Sequence, residues 1–150
     1  MTKICELKHV PATADHPAGF SPGEDLTLIE RLRFVDGEPT ALVRSYLPAR
    51  LVPGITVNHF EETGRGQSIL YVLERHFGVV LGGGEETICP ASVDAGEASL
   101  LGVPHGAAVV LKTCLVQDTA GAPVLYDEAL WSAPQTQLVQ RRIGSEKPPS

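Results

Sequence analysis

Alternating apolar and polar residues in the first third of the chain predict a β-hairpin. The alternation runs through residues 26–35 and resumes through residues 39–47. Between these segments stands Asp36-Gly37, a dipeptide that tolerates the positive φ angles of a tight two-residue turn. A shorter segment, residues 4–10, predicts one more strand ahead of the hairpin.

Two helices are predicted further along the chain. The first is expected over residues 68–77, where apolar side chains recur at helical spacing and Gly78 stands just past the end. The second is expected over residues 95–101. There Asp94 and Glu97 have the spacing of a capping box, and Gly102 ends the helix.

Three further strands complete the predicted sheet. Residues 79–93 contain Gly82-Gly83-Gly84, which we interpret as a bulge or a flexible link in a strand. Residues 107–117 and 123–132 form a second hairpin around a turn at 118–121. Two hairpins with two helices between them predict an α+β fold, in which helices cover one face of an antiparallel sheet.

The first strand of the first hairpin carries two arginines on one face. Because side chains alternate along a strand, Arg31 and Arg33 project to one side, while Leu32 and Phe34 project to the other. Two like charges about 7 Å apart repel each other unless an anion lies between them. The pattern therefore indicates an anion-binding pocket, and two solvated arginines on an exposed sheet face are the alternative interpretation.

Ser68 opens the first predicted helix, next to the loop Gly64-Arg65-Gly66. A free helix N-terminus attracts anions because its unpaired N–H groups and the helix dipole both present positive charge. The same residues also fit a helix that Ser68 caps and that binds no ligand, so the sequence leaves both interpretations open.

Composition and charge narrow the class of protein. The chain has 150 residues, which suits one domain, and a net charge of −6, which argues against a basic nucleic-acid-binding surface. No apolar run reaches the roughly 18 residues of a membrane span, and no signal peptide is present, so we expect a cytoplasmic protein without membrane contact. Three widely spaced cysteines do not suggest a disulfide framework, and Cys89 and Cys114 are predicted to be small core residues.

The sequence contains no motif that indicates catalysis, a metal or a cofactor. The five histidines lack metal-binding spacing, no Gly-x-Ser-x-Gly elbow is present, and the glycine triplet lacks the context of a nucleotide site. We therefore expect no metal and no cofactor. Asp127 and Glu128 are adjacent on one predicted strand and face opposite sides, so they do not form an acid–base pair. A binding pocket is favoured over a reaction site.

Several short motifs follow one another in a specific order over roughly residues 4–137. They are Glu30-Arg31-Leu32-Arg33, Asp36-Gly37-Glu38-Pro39, Ser45-Tyr46-Leu47-Pro48, the helix from Ser68 to Gly78, Glu85-Glu86-Thr87-Ile88, the segment from Glu97 to Gly106, and Gly121-Ala122-Pro123-Val124. This order resembles the UTRA domain, which is the effector-binding domain of the HutC branch of GntR transcriptional regulators.

The resemblance implies a fold shared with chorismate lyase, an antiparallel sheet flanked by helices, and a homodimer. It also implies a small metabolite whose binding releases the regulator from its operator. In sugar-phosphate-sensing relatives, two arginines of an Arg-x-Arg strand and the serine that opens the helix hold the anion. These residues correspond to Arg31, Arg33 and Ser68. Guanidinium groups and a helix N-terminus suit a phosphate or a carboxylate.

Four positions depart from those relatives. Val43 stands where they carry a glutamate on the second hairpin strand, and Leu70 where they carry a tyrosine near the start of the helix. Leu125 and Trp131 stand where they carry a glutamate and a tyrosine on the last strand. Since groups that bind sugar hydroxyls are lost, an amino-sugar phosphate is not expected. An aromatic or aliphatic carboxylate, or a lipophilic phosphate ester, fits better.

The resemblance also defines the expected domain organisation. We assign residues 1–140 to a UTRA-like ligand-binding domain and residues 141–150 to a disordered tail. No winged helix–turn–helix precedes the domain in this chain, so DNA binding would require a domain that the chain lacks. The chain is either an isolated domain of a longer regulator or a stand-alone protein. Effector sensing is the favoured function.

The alternative function is a stand-alone enzyme that resembles chorismate lyase, a lyase or isomerase acting on a carboxylated substrate. Arg31 and Arg33 would hold the carboxylate. Asp127, which shares strand parity with Leu125 and Trp131, would be the general acid or base. The arginines are expected to lower the pKa of Asp127 rather than raise it, which argues against this function. A purely structural or partner-binding role is a third possibility.

Overall fold

The computed structural model describes residues 1–13 and 19–132, and residues 137, 139 and 144 singly. Its strands are β1 (Thr2–Pro11), β2 (Asp25–Val35), β3 (Glu38–Pro48), β4 (Leu81–Ser92), β5 (Ala108–Asp118) and β6 (Pro123–Ser132). Its α-helices are α1 (Ile69–Phe77) and α2 (Ala95–Leu101), and 3-10 turns lie at Ala49–Leu51, Val57–His59 and Arg65–Gln67. Each predicted strand and helix is present, with ends that differ by at most two residues from the prediction.

The six strands form one antiparallel sheet in the order β1-β2-β3-β6-β5-β4. The turn between β2 and β3 has positive φ at both central residues, 49° at Asp36 and 80° at Gly37, as the sequence predicted. The glycine triplet lies inside β4, and the register shifts between Leu81 and Gly83. A side chain at Gly82 would collide with the Asp118 carbonyl oxygen, so the interpretation as a bulge is confirmed.

One helix lies on each face of the sheet. The apolar side of α1 packs in a core that contains Ile29 of β2, and α2 packs in a second core that contains Leu32 of the same strand. Residues 29 and 32 differ in parity, so the two cores lie on opposite faces. The α+β class and the flanking helices are confirmed, but the prediction that both helices cover one face is wrong. Apolar periodicity shows which side of a helix is buried, and not which face of the sheet receives it.

The two helices begin differently. At the start of α2, the Glu97 N–H donates to Asp94 Oδ1 (2.8 Å) and the Asp94 N–H donates to Glu97 Oε1 (3.0 Å), so the predicted capping box is present. Ser68 stands at the N-cap of α1, but its side chain makes no capping hydrogen bond. Its hydroxyl therefore stays available for another partner.

An ion-pair network fastens α2 to the sheet. Arg44 of β3 donates from Nε to Glu30 Oε2 (2.8 Å) and from Nη1 to Glu97 Oε2 (2.7 Å). The two carboxylates and the guanidinium are all largely buried, and the acids raise the pKa of Arg44 above its ordinary value. This network lies on the α2 face.

Of the two cysteines predicted to lie in the core, one is exposed and one is half-buried. All three cysteines are free thiols, but Cys89 is exposed because it lies on the edge strand β4, so the core prediction is wrong for it. Cys114 is half-buried and packs against the core beneath α1. The predicted tail, residues 141–150, falls outside the described residues apart from position 144. No helix in the described part of the chain is long and apolar enough to cross a membrane.

Candidate functional site

A cavity of about 230 Å³ opens on the α1 face of the sheet, beside the N-terminus of α1. Six of the residues singled out as effector-binding from the sequence line it, namely Arg31, Arg33, Val43, Ser68, Asp127 and Trp131. Leu70, the fourth position that departs from the relatives, also lines the cavity. Leu125 shares this face but lies fully buried in the core beneath α1 and does not line the cavity.

The strand register explains why these side chains meet. Arg31 pairs with Val43, Val43 with Ala129, and Ala129 with Lys112, so these four residues form one row across the sheet. The adjacent row on the same face is Ser45, Asp127, Cys114 and Glu86. The small apolar residues of the first row form the cavity floor, and charged side chains stand around it.

Arg31 is the most deeply buried charge of the site, with 3% of its surface exposed. Its Nη1 donates to the Gln67 carbonyl oxygen (3.1 Å) and its Nη2 donates to Ser45 Oγ (2.9 Å). The buried Nε has no hydrogen-bond partner among the residues that the structure describes. Burial lowers the pKa of Arg31, because the charged guanidinium has lost much of its hydration.

Ser45 connects Arg31 to Asp127. The Ser45 hydroxyl accepts from Arg31 and donates to Asp127 Oδ1 at 2.5 Å. Burial of the Asp127 carboxyl raises its pKa, and this effect exceeds the opposite effects of Ser45 and of the nearby cations Arg31, Arg33 and Lys112. The arginines lower the pKa of Asp127, as expected, but desolvation outweighs their attraction, so the expected net lowering is wrong.

Arg33 has a different environment from Arg31. Within the described residues, its guanidinium makes no hydrogen bond and no ion pair. It lies 6.0 Å from the centre of the Trp131 ring, at the outer limit of a cation–π contact. Ala41 of β3 is fully buried and pairs with Arg33 of β2 on one side and with Trp131 of β6 on the other. Its small side chain leaves room for the two larger side chains to approach each other.

The N-terminus of α1 closes the cavity above the arginines. The Gln67 carbonyl accepts from Arg31, and the Gln67 side-chain oxygen accepts from Thr2 Oγ1 (2.8 Å), so the turn before α1 is fixed to β1 and β2. Ser68 follows directly and lines the cavity with its uncapped hydroxyl. A nine-residue helix therefore directs its N-terminus toward two arginines, an arrangement that suits an anion.

The opposite end of the cavity was not predicted. Lys112 Nζ pairs with Glu86 Oε1 at 3.1 Å, and Cys114 lies between Glu86 and Asp127 in the register. Strand parity within the β5–β6 hairpin could have placed Lys112 and Cys114 on the face of Asp127. The position of Glu86 depends on the pairing of β4 with β5 across α2, which no local pattern of residues indicates.

The chemistry of the site is that of anion binding. The buried donor of Arg31, the guanidinium of Arg33 and the N-terminus of α1 meet beside an apolar floor. Among the described residues, no group of His, Cys, Asp and Glu side chains could hold a metal ion.

A comparison with known families matches the model of the UTRA domain to residues 1–137 of the chain. Solved structures with the same fold include the ligand-binding domain of a candidate GntR-family regulator from Bordetella bronchiseptica, with 20% identity and a TM-score of 0.81. The match covers 96% of this chain and 90% of that one. A GntR-family transcriptional regulator from Enterococcus faecalis has 17% identity and a TM-score of 0.81, with coverage of 95% and 100%.

Another structural relative is longer than this chain. YydK from Bacillus subtilis, a candidate transcriptional regulator, has 20% identity and a TM-score of 0.79. The match covers 94% of this chain, but the chain spans 62% of the length of YydK. At these identities the likeness establishes a shared fold.

Proposed function

Because the chain belongs to the UTRA domain family, we propose that its cavity binds a small anionic metabolite and that the domain senses this binding. The match over residues 1–137 confirms the family predicted from the sequence, and with it the effector-binding class of function. The chemical type of the effector is our proposal. Arg31 and Arg33 are the residues on which this proposal rests.

The observation that carries the proposal is the unsatisfied state of the two arginines. Arg31 holds a buried Nε–H without an acceptor, and Arg33 has no carboxylate partner within the described residues. Arg33 lines the cavity, so an anionic ligand there supplies the partner that its guanidinium lacks among the described residues. The uncapped Ser68 and the N-terminus of α1 add donors at the same place.

The floor of the cavity favours an apolar body for the effector. Val43, Ala129 and the Trp131 ring form the floor and one wall next to the arginines. These side chains offer no hydrogen bonds to sugar hydroxyls, apart from the indole N–H. We therefore propose an aromatic or aliphatic carboxylate, or a lipophilic phosphate ester, rather than an amino-sugar phosphate.

We further propose that the domain acts as a homodimer and together with a winged-helix DNA-binding domain. The greater length of YydK and the GntR assignment of other structural relatives support this organisation. Effector binding would then shift the dimer between states of different affinity for the operator. The net charge of −6 supports placing DNA binding in a separate domain.

Fluorescence of Trp131, the only tryptophan of the chain, provides the test because its ring lines the cavity. We expect benzoate and phenyl sulfate to change the Trp131 emission in a saturable manner in the wild type. The Arg33→Met variant should bind both anions at least tenfold more weakly, since it loses the free guanidinium. Arg50→Met is the matched control, because Arg50 is exposed and lies outside the cavity. Equal binding by Arg33→Met and the wild type would contradict the proposal.

One observation favours a second candidate function, a lyase or isomerase. The Asp127 carboxyl lines the cavity and its burial raises its pKa, which is the direction that favours a general acid. Recovery of each bound anion after long incubation separates the two candidates. A sensor returns the compound unchanged, whereas an enzyme returns a product whose formation stops in the Asp127→Asn variant.

A further inference from the structure

Among the described charged side chains around the cavity, two cations have an acidic partner and one cation does not. Arg31 is connected to Asp127 through Ser45, and Lys112 is paired with Glu86. Arg33 is the remaining charge, and its described partner is the uncharged ring of Trp131. With both acids ionised, the lining carries a net charge of +1. One negative charge on a ligand therefore neutralises the cavity.

A second negative charge on the ligand would be repelled by the Asp127 carboxylate. Asp127 lies on β6, and β3 separates β6 from β2, which carries both arginines. The backbone at Asp127 is therefore two strand spacings, about 10 Å, from the backbone of β2. Ser45 has a single hydrogen to donate, and it gives this hydrogen to Asp127. The Ser45 hydroxyl thus cannot also donate to a ligand while it holds the carboxylate.

We propose that Asp127 restricts the effector to a single negative charge, so that the cavity binds a carboxylate in preference to a phosphate monoester. The inference rests on the proposed anion site and narrows the effector class that this site accepts. In this view Asp127 determines specificity without contacting the anion, because it neutralises Arg31 and leaves Arg33 as the one uncompensated cation among the described residues of the cavity.

A doubly charged ligand would be accepted only with the uptake of a proton. The charged and titratable groups that face Asp127 are Arg31 and Arg33 from β2, Lys112 and Cys114 from β5, and Glu86 from β4. At the cavity α1 contributes Ile69 and Leu70, which carry no charge. Since burial already raises the pKa of Asp127, this carboxyl is the group that takes up the proton most readily.

Phenyl sulfate and phenyl phosphate provide matched probes of this charge selection. Both are tetrahedral esters of phenol, but near pH 8 the sulfate carries one negative charge and the phosphate carries nearly two. We expect wild-type protein to bind phenyl sulfate more tightly in a calorimetric titration. Benzoate, a planar anion of single charge, should resemble phenyl sulfate rather than phenyl phosphate.

The Asp127→Asn variant should change this preference. Asn has the same shape and its side-chain oxygen can still accept from Ser45, while one negative charge is removed. The affinity for phenyl phosphate relative to phenyl sulfate should rise on the order of tenfold, because the doubly charged probe gains about twice as much from the lost repulsion. Asp25→Asn, an exposed residue outside the cavity, should leave the ratio unchanged.

A second measurement does not depend on how the variant folds. Titrations of the wild type in two buffers with different heats of ionisation report the protons taken up on binding. We expect net uptake with phenyl phosphate and none with phenyl sulfate.

The outcomes separate this inference from the proposed function. If the probes bind through Arg33 but the wild type favours phenyl phosphate, or Asp127→Asn leaves the ratio unchanged, the inference is overturned and the anion site stands. If no probe binds in a manner that depends on Arg33, the proposed function fails and this inference fails with it.

Discussion

Two arginines on neighbouring strands, Arg44 and Arg31, have opposite chemical environments. Arg44, on the α2 face, donates to two carboxylates, and its pKa is raised. Arg31, on the α1 face, donates to a carbonyl and a hydroxyl, keeps an unpaired Nε–H, and has a lowered pKa. The first arginine is paired by the protein itself and fastens a helix. The second retains binding capacity at a cavity, which is why it marks the site.

Of the substitutions that test this comparison, Arg44→Met should have the largest effect on the free energy of unfolding. Removing the guanidinium leaves Glu30 and Glu97 largely buried without a cation, which should cost about 3 kcal/mol of unfolding free energy. Denaturant unfolding measures this loss. Binding of phenyl sulfate by the folded variant should stay unchanged, and a variant as stable as the wild type would contradict the structural role.

Arg31→Met should have the reverse profile. The wild-type residue already holds an unpaired donor, and Asp127 can become neutral when its cation is lost, so the loss of unfolding free energy should be about 1 kcal/mol. Affinity for phenyl sulfate should fall more than tenfold. The same unfolding and fluorescence titrations measure both quantities. A stability loss as large as that of Arg44→Met would show that Arg31 is structural.

The pH dependence of stability should distinguish the two faces further. Folding raises the pKa of Asp127 above its ordinary value of 3.8, so the folded state binds more protons between these two pKa values. The contribution of Asp127 to stability is therefore full below the ordinary pKa and is lost as the pH rises through the folded pKa. Asp127→Asn should have a higher Tm than the wild type near pH 8, and this difference should shrink toward about pH 4. A difference that grows on acidification would contradict the direction of the shift.

The smallest effects should separate the two helix N-termini. Asp94→Ala removes the capping box of α2 and should cost about 1 kcal/mol of unfolding free energy. Ser68→Ala removes no cap, so the loss should stay within a few tenths of a kcal/mol, while affinity for phenyl sulfate falls. Thermal unfolding and fluorescence titration of both variants provide the comparison. A Ser68→Ala variant that binds phenyl sulfate normally would remove the hydroxyl from the site.

Local signals account for the parts of the fold that the sequence predicted well. The Asp36-Gly37 turn and the Asp94–Glu97 capping box depend on residues close in sequence, so their patterns could be read directly. The face that receives each helix depends on packing between distant segments, since β2 is apolar on both sides. Cys89 was misplaced for a related reason, because strand order decides which strand is an edge.

The candidate site was predicted in part for the same reason. Strand parity placed Arg31 and Arg33 on one face, the helix pattern indicated Ser68, and the family resemblance added Val43, Leu125 and Trp131. Leu125 and Asp127 lie two residues apart on the same face of β6, so parity could not distinguish them. Leu125 is buried in the core under α1, whereas Asp127 lines the cavity. The pairing of Ser45 with Asp127 and the raised pKa of Asp127 depend on a register and a degree of burial that only the folded chain defines.

The exposed edge strand β4 has a consequence for the solubility of the protein. Its outer side leaves backbone donors and acceptors unpaired within the sheet, and Ile88 adds an exposed apolar side chain. Such an edge can recruit a strand from another molecule and start aggregation. Pro90 lacks a backbone N–H, which interrupts the row of unpaired donors, and Glu85 adds an exposed charge that would repel the same charge on a second copy. The same strand that supplies Glu86 to the cavity thus also protects the protein from self-association through its edge.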